Sequence, residues 1–341
     1  MLETIWFLLW GVLWAVYFAL DGFDLGMGML KPFLARDEYE KRVIYNAAGP
    51  FWDGNEVWLI AAGGVTFAAF PLAYAAMFSG LYTALMLLLF ALIVRGVSFE
   101  FRSKVDSPGW KAIWDGCQVV GSFLPALLLG VAFANIFQGL PLDQNQVMHG
   151  GLLDLLNPYG LAGGVLFVLL FLSHGALWLS IKAEGDLRER AASTAAKLWP
   201  VLAAVIVLFL AYTWFATKLF TNYLTNPVLF LILLVPVGGL VMIRVWLAAR
   251  RFWAAWGASA VMIIGVTLFA VVGLFPAILP SSLNPAWSLT ATDAGIKASS
   301  SPLTLAIMLG VALVFVPIVI GYQFWVYKTF SSPVTREDLE Y

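Results

Sequence analysis

Histidine and cysteine are nearly missing from this chain of 341 residues, which has two of the first and one of the second. The lone Cys117 excludes an internal disulfide and any cysteine-built zinc or iron–sulfur centre. His149 and His174 are too few to ligate several haems, and no metal site is expected on this chain. Charge is scarce as well: 11% of the residues are Asp, Glu, Lys or Arg, against about 25% in soluble domains. The formal net charge of −1 and the lack of a dense basic cluster exclude nucleic acid as a partner. A GxxxxGK[ST] phosphate loop does not occur, so ATP is not expected to supply energy here. The first residues lack a basic leader and run straight into an apolar stretch, so no cleavable signal peptide is expected.

What the chain has in excess is apolar surface, with 62% hydrophobic residues spread along its whole length. A bilayer core of about 30 Å takes roughly 20 apolar residues per helix. Nine such runs lie near residues 5–29, 52–72, 77–99, 112–137, 158–181, 198–221, 227–249, 252–277 and 303–327. The expected class is an all-α polytopic membrane protein, a single integral membrane domain over residues 1–341. Nine spans place all but two of the 19 lysines and arginines on one side, Arg95 among the basic flank of the third span. Only Lys218 and Lys297 fall on the other. The positive-inside rule then sets the N-terminus outside and the C-terminus in the cytoplasm. The longest connections, near 138–157 and 278–302, are too short for a soluble catalytic domain. Asn157-Pro158, Asn226-Pro227 and Asn284-Pro285 mark the starts of helices or turns.

Ionisable groups inside such helices are costly and mark helix contacts, proton paths or substrate paths. In "LDGFDLGMGML", Asp21 and Asp24 stand about 60° apart on a helix, and Gly22, Gly26 and Gly28 permit close helix approach. The two acids serve either a packed helix contact or a proton or substrate path. In "GPFWDGNEVW", Asp53 and Glu56 repeat the i,i+3 spacing at one end of the second span. There they either complement the helix dipole or pass protons inward. In "FEFRSK", Glu100 and Arg102 close the third span as a local polar cluster, with Asp115 capping the next span or pairing with the cations. His174 reads as a satisfied core histidine and His149 as a solvated loop residue. From the residues alone two classes remain. One is an integral subunit of a larger membrane complex; the other is a stand-alone secondary transporter, hinted at by Gly238, Gly239, Pro276 and Pro317.

Six motifs, in order, carry a more specific resemblance: "DGFDLGMGML", "WDGNEVWL", "FRSK", "GVAFANIFQGLP", "LLNPYGL" and "FPAILPSSLNPAWSLT". With them the chain resembles subunit II of the cytochrome bd quinol oxidases over almost its whole length. The resemblance implies nine transmembrane helices, two four-helix bundles plus one peripheral helix, in a heterodimer with subunit I in the bacterial cytoplasmic membrane. It implies a complex that oxidises quinol and reduces dioxygen to water while generating a proton motive force. Haems b and d are then expected on subunit I, with no catalytic residue in this chain and no activity without the partner. Membrane lipids, quinone, a small accessory subunit and a structural quinone on this subunit complete the implied partners. Carried over by position, Asp53 matches an acid of a cytoplasmic proton path. Glu56, where some relatives carry glutamine, is a further candidate for it. Trp58 matches a residue beside an oxygen route from the membrane. Asp21 and Asp24 match the first-span acid pair, structural or proton-linked.

Overall fold

Each long apolar run winds into a helix, as a segment must where no water is present to bond its backbone. The computed structural model describes residues 1–339. Its helices are α1 (Leu2–Leu34), α2 (Glu38–Ala48), α3 (Trp52–Ala69), α4 (Pro71–Gly80), α5 (Tyr82–Phe101), α6 (Pro108–Gln138) and α7 (Leu152–Leu155). There follow α8 (Pro158–Lys182), α9 (Gly185–Ala216), α10 (Thr221–Thr225), α11 (Leu234–Ala248), α12 (Phe252–Leu274) and α13 (Pro302–Thr329). Among the described residues, eight helical segments are long and apolar enough to cross a membrane. The second expected run is helical as α3 but falls outside that set. Asp53, Asn55 and Glu56 in its first turns dilute its apolar content.

Prolines and polar caps set the boundaries. Pro71, Pro108, Pro158 and Pro302 each open a helix, where a missing N–H leaves no bond unmade. Asn157 caps α8 by accepting from the Gly160 N–H at 2.8 Å, and Asn226-Pro227 opens a 3-10 turn that leads into α11. The connection expected between the second and third runs is itself helical. Pro71 disfavours helical geometry at Phe70 (φ −137°, ψ 62°), which ends α3 and starts α4. The first connection holds α2, capped by Asp37, and α9 begins at Gly185, well ahead of its apolar run. Helices can continue past the apolar layer, so hydropathy alone places their ends poorly.

The expected all-α class also misses a small sheet in the connections. Ala277–Leu279 (β1) pairs antiparallel with Leu289–Thr290 (β2), which runs parallel to Ile296–Lys297 (β3). Leu140 bridges to Ser281 and ties the two longest connections together. Strands this short leave no alternating pattern to read.

Helix α1 is the hub and packs along α3, α6, α8 and α12. Helix α5 lies on α6, α8 on α6 and α9, and α11 on α12, whereas α13 packs mainly on α1 and α3, with Tyr327 against Trp178 and Trp256, and is exposed over most of its surface. At the α1–α8 crossing, Gly26 meets Gly175 backbone to backbone. A Cβ at Gly175 would lie 2.6 Å from the Gly26 carbonyl carbon. Gly175→Leu is therefore expected to destabilise this crossing by about 1–3 kcal/mol, the cost of overpacking an interior. It should reduce the monodisperse, detergent-extracted fraction seen by size-exclusion chromatography. Gly238→Leu on α11, with no atom within 4 Å of its Cβ position, should leave that fraction unchanged. Equal profiles would remove the crossing as a constraint.

Candidate functional site

Two polar clusters interrupt the apolar interior. The inner one lies where α1, α3, α5 and α13 meet. Helix α1 supplies Asp21 and Asp24, both buried; α3 supplies Asn55 and Glu56; α5 supplies Arg95, which is 0% exposed. Arg95 Nη1 donates to Glu56 Oε1 at 2.5 Å, and Arg95 Nη2 lies 3.6 Å from Asp21 Oδ1. Asn55 Nδ2 donates to Asp24 Oδ2 at 2.7 Å. Its Oδ1 accepts from the Tyr327 hydroxyl at 3.0 Å and from Gln323 Nε2 at 3.2 Å, both on α13. Trp58 Nε1 donates to Gln323 Oε1 at 2.7 Å and ends the chain of contacts.

Three carboxyl groups thus surround one guanidinium, in a medium where charges interact far more strongly than in water. Both oxygens of Asp21, one of Asp24, the Tyr17 hydroxyl, and Nε and Nη2 of Arg95 have no hydrogen-bond partner among the described residues. Buried polar groups are nearly always bonded to something, so six unpaired atoms in one cluster set it apart from the rest of the interior. Asp53 stands apart. It is exposed on the outer face of α3, one turn before Glu56, without a hydrogen bond or ion pair among the described residues.

Asp21, Asp24, Glu56 and Trp58 therefore come together in the structure, and Asp53 borders them. Arg95, Gln323 and Tyr327 are the members that sequence reasoning passes over. Arg95 reads as part of a basic flank, but it sits well inside the end of α5 at Phe101. That depth is the available signal. Gln323 and Tyr327 share one face of an otherwise apolar helix at the i,i+4 spacing.

The outer cluster sits where most of the basic residues gather. Asp115 of α6 accepts from Lys31 Nζ at 2.6 Å, from Arg102 Nε at 2.8 Å and from Lys41 Nζ at 3.3 Å. Arg102 also grips Glu38 through two bonds of 2.9 Å, which hold the Glu38 carboxyl below the usual carboxylate range. Arg102 and Asp115 pair as expected, but Glu100 is not with them. Two positions apart on a helix, Glu100 and Arg102 face different ways. Glu100 is exposed without an ion pair among the described residues, and Glu38, Lys31 and Lys41 take its place.

Neither histidine is poised as a metal ligand. His174 Nε2 donates to the Ala19 carbonyl at 2.8 Å, and Nδ1 lies 2.9 Å from Ser259 Oγ. His149 lies in an exposed connection, 2.9 Å from Asp143. No group of three His, Cys, Asp or Glu able to hold a metal ion occurs among the described residues. An apolar cavity of about 100 Å³ lies among α1, α6, α8, α9, α11 and α12, lined by Phe133, Phe167, Phe171, Phe209, Leu240 and Met262.

The family described as cytochrome bd terminal oxidase subunit II matches residues 2–330. Cytochrome bd ubiquinol oxidase subunit 2 of Bacillus subtilis (strain 168) is 38% identical over 339 residues, 99% of this chain and 98% of that one. Cytochrome bd-I ubiquinol oxidase subunit 2 of Escherichia coli (strain K12) is 37% identical over 375 residues, 99% of this chain and 97% of that one. The structure of bd oxidase from Geobacillus thermodenitrificans superposes with a TM-score of 0.79 at 16% identity, over 96% of this chain and 98% of that one, a likeness of fold.

The outer cluster makes a stability prediction. Removing Asp115 strands Lys31, which is 2% exposed, without its acid. Asp115→Ala is expected to destabilise the chain by about 3 kcal/mol, read as a lowered thermal midpoint in detergent. Glu100→Ala is expected to stay within about 0.5 kcal/mol of the parent. Comparable losses in both variants would contradict the assignment of Asp115, and not Glu100, to the network.

Proposed function

The chain belongs to the cytochrome bd terminal oxidase subunit II family, and from that membership we propose that it is the haem-free subunit of a quinol-oxidising, dioxygen-reducing complex in the bacterial cytoplasmic membrane. Full-length kinship with oxidase subunits sets aside the stand-alone transporter. The chain assembles with a haem-bearing subunit I, which carries haems b and d. In support, both ring nitrogens of His174 are engaged within the protein, and His149 is exposed in a connection. Helices α1, α3, α5 and α6 form one four-helix set and α8, α9, α11 and α12 the other, with α13 peripheral and α3 counted as the ninth span. The end bearing Lys31, Lys41 and Arg102 faces the cytoplasm, by the positive-inside rule, and the N-terminus lies outside.

The buried cluster is the observation that carries the mechanism. Glu56, 20% exposed, sits between the exposed Asp53 and the buried Arg95–Asp21 pair. A cytoplasmic proton enters at Asp53, passes to Glu56 and reaches Asp21, while Arg95 fixes both acids in place. Asp24, held by Asn55, extends this group toward α13. Trp58, buried at the α3–α13 contact, borders the oxygen route from the membrane. The apolar cavity where α6, α8, α9, α11 and α12 meet suits a short segment of the hydrocarbon tail of a structural quinone.

In the purified two-subunit complex, Glu56→Gln is expected to lower quinol-driven oxygen uptake roughly a hundredfold, the scale of a lost proton relay, with the b and d haem bands retained. Asp53→Asn, at the exposed mouth, should lower uptake less. Normal uptake and a normal haem spectrum in Glu56→Gln would refute the relay. Oxygen uptake by this chain alone would refute the subunit assignment.

A further inference from the structure

At the basic end of the molecule, the α11–α12 turn, the start of α9 and the end of α8 enclose an open cleft of about 430 Å³. Arg188, Arg250 and Arg251 line it, with Ser180 and Ser331 beside them and Trp253 on the apolar wall. We propose that this cleft binds a phosphate-bearing anion, either the headgroup of an acidic membrane lipid or free phosphate.

Charge is the first argument. Of the three guanidinium groups Arg250 meets an acid directly, Glu189, through two hydrogen bonds, and Glu189 also feels the charge of Arg188, so one carboxylate faces three cations. Arg188 commits its Nε to the Ala183 carbonyl, and Arg251 lies over the Trp246 ring at 5.2 Å. The wall therefore keeps an excess of positive charge, in the planar, forked form that matches phosphate oxygens.

The second argument is backbone conformation. Arg250 adopts φ 57°, the left-handed region, just past the end of α11. The Arg251 N–H returns to the Trp246 carbonyl at 2.9 Å and the Arg250 N–H to the Leu247 carbonyl at 3.0 Å. That helix-ending motif ordinarily places glycine at the left-handed position. An arginine kept there, against the preference of its backbone, points to a use for its side chain. The first turn of α12 also opens on the cleft without a capping side chain, so its N–H groups add to the positive potential.

The surroundings of the cleft bear on the source of the phosphate. Helices α9 and α11 rise from the cleft with only 17% of their most apolar stretches buried, so acyl chains can lie against them. Basic pockets at the ends of spanning helices are the usual setting for acidic headgroups. This favours the lipid.

The test uses the intact two-subunit complex, delipidated in an uncharged detergent, with phosphatidylglycerol and inorganic phosphate titrated separately. Bound lipid is read by native mass spectrometry and the thermal midpoint is followed in parallel. The parent is expected to bind phosphatidylglycerol roughly tenfold or more tightly than the double variant Arg250→Gly, Arg251→Gln. Glycine relieves the left-handed residue, so the variant keeps its fold. Lipid binding that the variant loses assigns the site to a headgroup. A midpoint shift with inorganic phosphate alone, also lost in the variant, assigns it to free phosphate. Equal responses of parent and variant to both ligands overturn the proposal.

Discussion

One guanidinium organises the interior of this protein. Arg95 is fully buried, and moving such a charge out of water costs on the order of 20 kcal/mol in the idealised limit. It is tolerable only because Asp21 on α1 and Glu56 on α3 approach it from two other helices. The requirement fixes the rotation of α1, α3 and α5 about their own axes. A turn of α1 by one residue would swing Asp21 away by about 100° and strand the charge. The glycine crossing of α1 with α8 then anchors the opposite side of the same helix, so the hub is held from both sides.

From that constraint the remaining polar contacts follow in sequence. With α1 and α3 fixed, Asp24 and Asn55 must meet, and Asn55 has a carbonyl oxygen left over. Helix α13 supplies Tyr327 and Gln323 to it, and Gln323 in turn receives the Trp58 indole. A helix exposed over most of its length is thereby docked near its basic end by hydrogen bonds and by the Tyr327 ring against Phe23, Trp178 and Trp256. Apolar contact could not specify that position, because lipid is as apolar as the helix faces it competes with.

Much of this was legible before any coordinates. The apolar runs locate the long helices, and the asymmetry of lysine and arginine sets one end apart from the other. Asp21, Asp24, Glu56 and Trp58 stand out because polar groups in such runs are rare. The partner that unites them, Arg95, does not, since an arginine near a helix end reads as an interfacial anchor. Glu100 misleads for the opposite reason: adjacency in "FEFRSK" suggests a cluster that helical rotation separates. The α4 insertion, the early start of α9 and the two-residue strands lie in segments where hydropathy has no period to offer. Their form is decided by Pro71, by capping and by contacts between connections far apart in sequence.

The two polar clusters use the same residue types and differ in saturation, and that difference separates their roles. Asp115 is met by three side-chain cations, and Arg102 is satisfied by two acids. Such a network ties α1, α2, α5 and α6 together where water is near, and its groups are paired. Among the described residues Asp21 accepts no hydrogen bond, and its ion pair with Arg95 Nη2 is a looser 3.6 Å. Buried ion clusters with loose geometry are poor stabilisers, and well-packed apolar residues often do better. In a sequence that is 62% hydrophobic such replacements lie readily at hand. The inner cluster is therefore held by charge balance around Arg95, not by the saturated bonding of the outer one. The alternative, that Asp21 and Asp24 hold helices together, accounts for Asp24 through its short bond to Asn55 and for Asp21 as a counter-charge to Arg95, so the two roles differ in whether a proton moves through the group, not in whether the acids are needed.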